Sequence, residues 1–199
     1  EGLSESSPAN GFANSSIYRS TDAGASWSLT GPGIPTTEAT NKFASIGGEV
    51  YTGLNFLGGV YKTLDAGASW QPANIGLPEV DVNAIFPSGS YIFSGSVSQP
   101  GIHRSADGGN TWLPFGQGLD PTTAKIVTAF GQNSSYLFAS VDYFGAYRSS
   151  DNGATWQLVS NGLTTFCVFG HGFATNGTDV YFATEDGVFR TTNSGGNWT

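Results

Sequence analysis

The side chains able to carry chemistry in this 199-residue chain are its carboxylates, its arginines and two histidines, and their spacing limits what each can do. Hydrolysis of a glycosidic bond needs two carboxyl groups facing each other, one buried enough to stay protonated near neutral pH. The acids outside the repeated motif described below include Glu38, Glu49, Glu79, Asp81, Asp120, Asp142, Asp179, Glu185 and Asp186, and they are scattered. Asp142, Glu185 and Asp186 fall in the same inter-strand loop of adjacent repeats, where they can approach one another; the alternative is that they are solvated loop charges. Holding an acidic sugar needs converging arginines, because a planar guanidinium grips a carboxylate through two parallel hydrogen bonds. Arg19, Arg104, Arg148 and Arg190 instead recur one per repeat, with Lys62 in the same place once, so they cannot converge. His103 stands where other repeats have Tyr18, Tyr61, Tyr147 and Phe189, and reads as a core aromatic substitute. His171, flanked by Gly170 and Gly172, is expected to face a central channel. Two histidines in different settings make no metal site. No catalytic residue, metal or cofactor is assigned.

The loop that carries Asp142 also carries aromatics that the repeat does not require. Phe56-Leu57 and Tyr143-Phe144 occupy equivalent loops, and the last repeat has Glu185-Asp186 there. Aromatic side chains on loops of a rigid scaffold suit a binding surface. The candidate binding residues are therefore Phe56, Leu57, Tyr143, Phe144, Asp142 and Glu185. The competing expectation is that the aromatics tuck against a neighbouring unit.

The elements that position these loops are set by an octapeptide, Ser/Thr-x-Asp-x-Gly-x-x-Trp, present five times as residues 20–27, 63–70, 105–112, 149–156 and 191–198. Its fixed residues are Asp22, Gly24 and Trp27; Asp65, Gly67 and Trp70; Asp107, Gly109 and Trp112; Asp151, Gly153 and Trp156; and Asn193, Gly195 and Trp198. The tryptophans are spaced by 43, 42, 44 and 42 residues. An apolar strand such as Val60-Tyr61-Lys62-Thr63 precedes each box and a short strand follows, so the box must reverse the chain. Gly accepts a positive φ without a steric penalty. The carboxylate and the hydroxyl can take backbone N–H bonds across the turn. The Trp supplies the apolar surface that staples the hairpin down. Asn193 keeps the turn-forming oxygen and loses only the charge.

A period near 43 residues with four strand signals per repeat predicts an all-β fold: a β-propeller of about five four-stranded blades, or a segment of a larger one. The predicted inner strands run over 42–46, 82–86, 124–130 and 166–175, and the next strands over 50–53, 91–95, 136–140 and 180–184. Gly/Asn-rich hairpin turns lie between them. The whole of 1–199 reads as a single domain, because one blade cannot bury both its faces. The five boxes resemble Asp boxes, also called BNR repeats, found in sialidases, sortilin-type receptor propellers, xyloglucan-degrading endoglucanases, photosystem II assembly factors and secreted bacterial repeat proteins. The resemblance implies the propeller fold with the box on the hairpin between the third and fourth strands, remote from any active site. It does not fix an activity, since one fold serves many.

Composition bounds the rest. With 7 basic and 15 acidic residues the formal net charge is −8, and no basic stripe exists to meet nucleic acid or an anionic membrane. No apolar run approaches the roughly 18–20 residues of a membrane span. The single cysteine, Cys167, excludes an internal disulfide and is expected to pack as a small hydrophobe. Asn14, Asn133, Asn176 and Asn197 open glycosylation sequons, with Asn133 and Asn176 expected on accessible hairpin tips. The last repeat ends at Trp198-Thr199, and residues 2–8 are expected to pair with it, within one molecule or between copies; the alternative is a piece of a longer propeller. The expected function is a secreted, extracellular or cell-surface, non-catalytic interaction or assembly module. Its partners would be a protein, a glycan or other copies of itself. The alternative is a carbohydrate-active enzyme or part of one.

Overall fold

The computed structural model describes residues 2–6, 16–35, 38–55, 58–78, 81–96, 101–119, 126–163 and 169–199. Every regular element in them is a strand. The first sheet holds β1 (Gly2–Ser6), β2 (Ser16–Ser20) and β3 (Ser28–Leu29). The second holds β4 (Thr40–Ile46), β5 (Glu49–Leu54), β6 (Gly59–Thr63) and β7 (Gln71–Pro72). The third holds β8 (Val82–Ser88), β9 (Tyr91–Ser96), β10 (Ile102–Ser105) and β11 (Leu113–Pro114). The fourth holds β12 (Val127–Gln132), β13 (Leu137–Val141), β14 (Gly145–Ser149) and β15 (Gln157–Leu158). The fifth holds β16 (Gly170–Asn176), β17 (Asp179–Thr184) and β18 (Gly187–Thr191), and Thr199 exchanges backbone hydrogen bonds with Arg190 where a fourth strand would begin. Each sheet is an antiparallel meander in sequence order. The inner strands β4, β8, β12 and β16 pack side by side, as in a propeller.

The box forms the turn between the last two strands of the first four sheets, and in the fifth it follows β18 and leads to Thr199. In all five, the Ser/Thr hydroxyl donates to the Asp or Asn side-chain oxygen at 2.7–2.8 Å and accepts the Gly N–H at 2.7–2.9 Å. The same side-chain oxygen accepts the N–H of the residue four positions on, at 2.8–3.0 Å. In the four Asp boxes the second carboxylate oxygen also takes a hydroxyl at 2.6 Å. These donors, the hydroxyls of Ser26, Ser69 and Thr111 foremost, hold the Asp22, Asp65 and Asp107 carboxyls down at about 2. Asn193 keeps the shared oxygen and its two bonds. The residue after the Asp or Asn is left-handed as well: Ala23, Ala66, Asn152 and Ser194 have φ of 54–56°. For a non-glycine residue this costs about 1–2 kcal/mol, and the hydrogen bonds around each turn offset it.

The boxes also join neighbouring sheets. The backbone N–H of Trp70, Trp112, Trp156 and Trp198 donates to Pro32, Ile75, Gln117 and Asn161 of the preceding repeat, at 2.8–2.9 Å. Their indole N–H groups donate to Thr30, Ala73, Phe115 and Val159. A Cβ at Gly76, Gly118 or Gly162 would overlap the carbonyl oxygen of the next Trp, and each has a positive φ, so only glycine fits these turns. The apolar core lies between sheets. Tyr51, Val60 and Ala73 meet Val82, Ile85 and Trp112; Phe93 and Ile102 meet Phe130, Leu137 and Trp156; Phe138, Ala146 and Val159 meet Phe182 and Trp198.

Two expectations are corrected here. Within one molecule, residues 2–6 do not pair with the last repeat: β1 pairs with β2 in unbroken register from Gly2↔Ser20 to Ser6↔Ser16. The edge of β2 is close in sequence and offers the full length of the strand, which makes a local antiparallel pairing cheaper in loop entropy than a distant one. Asn133 is not an accessible hairpin tip. It is 7% exposed, its Oδ1 accepts the N–H groups of Ser135 and Tyr136, and its Nδ2 donates to Ser194 of the next repeat. Asn176 and Asn197 are exposed, while Asn14 and Cys167 lie outside the described residues.

Candidate functional site

The inner strand of the second to fifth sheets breaks register near its start, at Thr40/Lys42, Val82/Ala84, Val127/Ala129 and Gly170/Gly172. Such bulges bend the strand and re-aim its side chains. Opposite them lie the hairpins that carry the candidate binding residues, so this rim of the fold is where the sequence departs from its repeat. Phe56 and Leu57, in the second sheet's hairpin, lie outside the described residues.

The fourth and fifth sheets build the site. Asp142 follows β13 and its N–H donates to Ile126 at 2.9 Å. It is only 4% exposed, and its Oδ1 is buried with no hydrogen-bond partner among the described residues. Burial pushes its carboxyl up from 3.8 to about 6; the Glu185 charge adds to the rise, and the Thr128 hydroxyl and His171 oppose it. Glu185 is exposed in the fifth sheet's hairpin and His171 is exposed on β16. The structure thus brings Asp142 and Glu185 into electrostatic range of each other, with one buried and the other in solvent.

Tyr143 is held at φ 66° and is 71% exposed. A left-handed tyrosine is a strained arrangement. Its ring meets Phe169 edge-on at 5.2 Å, with the planes at 69°. Phe144 turns the other way and packs against the core between the third and fourth sheets. Of the two loop aromatics, one therefore faces out and one tucks in. Phe169 belongs to the site and sequence reasoning did not select it; its place in an aromatic-glycine run beside His171 was the available signal.

Other titratable groups are spent on packing. Lys62 Nζ donates to the Gly108 carbonyl at 2.7 Å and to Asn110 at 3.0 Å. Arg104 and Arg148 donate to the Asn152 and Ser194 carbonyls at 3.0 and 2.7 Å. The repeated basic residue is thus a clamp on the next repeat's box, a role its fixed spacing from the Asp could have suggested. His103 is buried in the core, where desolvation lowers its pKa, in keeping with its place in an aromatic series. Among the described residues, no group of three His, Cys, Asp or Glu is placed to hold a metal ion.

No family model matches the chain, and no curated protein does. Solved structures do. An ancestral GH74 enzyme superposes with a TM-score of 0.74 at 19% identity, covering 99% of this chain and 30% of that one. YCF48 bound to D1 peptide gives 0.63 at 20% identity, covering 93% and 60%. The extracellular domain of a one component system from B. thetaiotaomicron gives 0.69 at 13% identity, covering 92% and 26%. The GH74 and YCF48-type neighbours are β-propellers, and at these identities the likeness shows the fold alone. The chain spans from about a quarter to three fifths of the structures it resembles. No helix among the described residues is long and apolar enough to cross a membrane.

Proposed function

We propose that the five sheets are five Asp-box blades and that the chain is a non-catalytic, extracellular interaction module. Its ligand, a glycan or a peptide, docks on the rim of the fourth and fifth sheets. The observation that carries this reading is Tyr143, held outward in a strained backbone conformation and braced by Phe169, directly beside the buried Asp142. An exposed aromatic face gives stacking area to a sugar ring or a side chain, and it loses little entropy because a tyrosine has few rotatable bonds. Asp142, 4% exposed with its Oδ1 buried, backs this surface rather than touching the ligand. Support for binding comes from a solved propeller of similar fold that holds a peptide, and for an extracellular setting from the extracellular domain among the similar folds.

A second reading has one observation of its own. Asp142 has a raised pKa with a second carboxylate, Glu185, in electrostatic range, which is the arrangement a glycoside hydrolase needs. Glu185 stands in solvent rather than across an enclosed cleft, which favours binding over turnover. The deciding experiment is a screen of the pure protein against oligosaccharide and peptide arrays, repeated with Tyr143→Ala. Binding that Tyr143→Ala abolishes, without hydrolysis of the ligand, supports the module. Hydrolysis of xyloglucan that Asp142→Asn abolishes would replace the first reading with the second.

A further inference from the structure

Asp142 and Tyr143 are the two central residues of a turn that the Phe144 N–H closes on the Val141 carbonyl at 3.0 Å. The turn belongs to the fourth sheet, which has the third and the fifth packed on either side of it. Tyr143 therefore stands in solvent at a junction where both neighbouring sheets are in place, with the Phe169 ring set against it. The face of an aromatic ring is the negative part of its quadrupole and attracts a cation.

Two carboxylates flank these rings. Asp142 lies behind them, more than nine-tenths buried, with an Oδ1 that has no hydrogen-bond partner among the described residues. A buried charge is poorly screened, so it is felt at the surface above it. Glu185 lies beside them: the register Gly170↔Thr184 sets the next residue of each strand, Phe169 and Glu185, across from one another. The described arginines of these sheets act elsewhere. Arg104 and Arg148 hold box carbonyls, and Arg190 pairs with Asp179 at the far end of β17. Among the described residues, His171 and Glu185 are the titratable groups whose charge reaches Asp142.

We infer that the ligand of this rim is a basic segment of a partner protein, with a lysine or arginine side chain laid over the Tyr143 ring in the field of Asp142 and Glu185. The inference rests on the rim-docking reading above and chooses between its two ligand classes. A neutral sugar could stack on Tyr143 but would leave the unpartnered charge unused, and an acidic ligand would be repelled. A protein segment suits the site better than a small free cation. Tyr143 is an open wall, so one cation alone gains little contact, and the residues flanking it in a peptide supply the rest. Acid opposes the contact twice. It neutralises Asp142, whose carboxyl burial raises to about 6, and it charges the His171 imidazole. Binding therefore tightens as pH rises.

A peptide array tests this, with lysine- and arginine-centred sequences beside their uncharged acetyl-lysine and citrulline counterparts. The unaltered protein should bind the best charged peptide about tenfold more tightly than its neutral counterpart, and the difference should shrink as salt is added. Tyr143→Leu, which keeps apolar surface and loses the ring, should weaken binding of the charged peptide and leave the neutral one unchanged. Between pH 5 and pH 7.5 the affinity for the charged peptide should rise, by about tenfold if one buried charge is responsible. His171→Gln should keep part of that rise, and Asp142→Asn in the same background should abolish it. Equal affinity for charged and neutral peptides overturns the inference, as does binding that is flat with pH. A neutral oligosaccharide bound through Tyr143, with no peptide bound, overturns it and leaves the rim-docking reading standing. Absence of any ligand that depends on Tyr143 removes both. Should a variant misfold, the charged-to-neutral ratio and its pH profile in the unaltered protein still decide.

Discussion

Replacing Asp142 with asparagine should change how stability depends on pH, and the size of the change follows from the site. The carboxyl is raised from 3.8 to about 6, chiefly because it is buried. The folded state therefore holds the proton more tightly than the unfolded chain does. The favourable contribution of the neutral acid is fully present below 3.8 and is lost as pH rises through about 6. A shift of about two units at 1.36 kcal/mol each gives about 3 kcal/mol as the most that one group can withdraw between pH 4 and 7.5. For a domain of this size each kcal/mol moves the midpoint by about 2–4 °C, so the full effect is about 6–12 °C. Asparagine has no charge to desolvate and should not show this loss. The assay is thermal denaturation of both proteins at about pH 4 and about pH 7.5, at matched ionic strength. Asp22, Asp65 and Asp107, held at about 2 by their hydrogen bonds, lose their contribution as pH falls from 3.8 toward 2, Asp151 is lowered as well, and the comparison between proteins cancels all four. His171 and Glu185 face the same carboxyl, and repeating the pair in a His171→Gln background isolates Asp142. The variant should gain on the unaltered chain as pH rises. Parallel profiles would mean that Asp142 is not a desolvated acid, and the chemical basis of the rim site would fall.

The tryptophans give a sharper test of the fold, because five copies of one motif differ only in their neighbours. Trp112→Ala removes a sealed side chain and the N–H bond to Ala73, and should cost about 3–5 kcal/mol in chemical denaturation. Trp27→Ala, at an exposed side chain, should cost less than about 1 kcal/mol; equal costs would show that burial does not set the difference between the two. In the second box, Asp65→Asn should melt close to the unaltered protein because Asn193 already makes the same two bonds. Asp65→Ala should melt lower, and a reversed order would show that the charge, not the oxygen, holds the turn.

The comparison of Trp27 with Trp112 also marks the boundary of what sequence could say. Turn chemistry acts over four to eight residues, so the octapeptide by itself determined its hydrogen bonds, the mild effect of Asn193 and the strands on either side. The repeat of that turn every 42–44 residues determined an all-β, propeller-like stacking of sheets. Even there Ala23 and Ala66 were illegible, because nothing in an alanine announces a left-handed backbone that its neighbours' hydrogen bonds sustain. Burial is a different quantity, fixed by whichever sheet arrives from a distant part of the chain. Tertiary structure alone decided that four of the five tryptophans are sealed and one is open, and that Val188 is bare where Val60 is covered. It also decided that Asn133, a plausible hairpin tip, is locked against Ser194 of the next repeat. The site divides along the same line. Tyr143 and Asp142 stood out as loop residues that the repeat did not require, but their outward and inward directions depend on long-range packing. The left-handed turn sends one ring into solvent and leaves the adjacent carboxyl under the rim between two sheets.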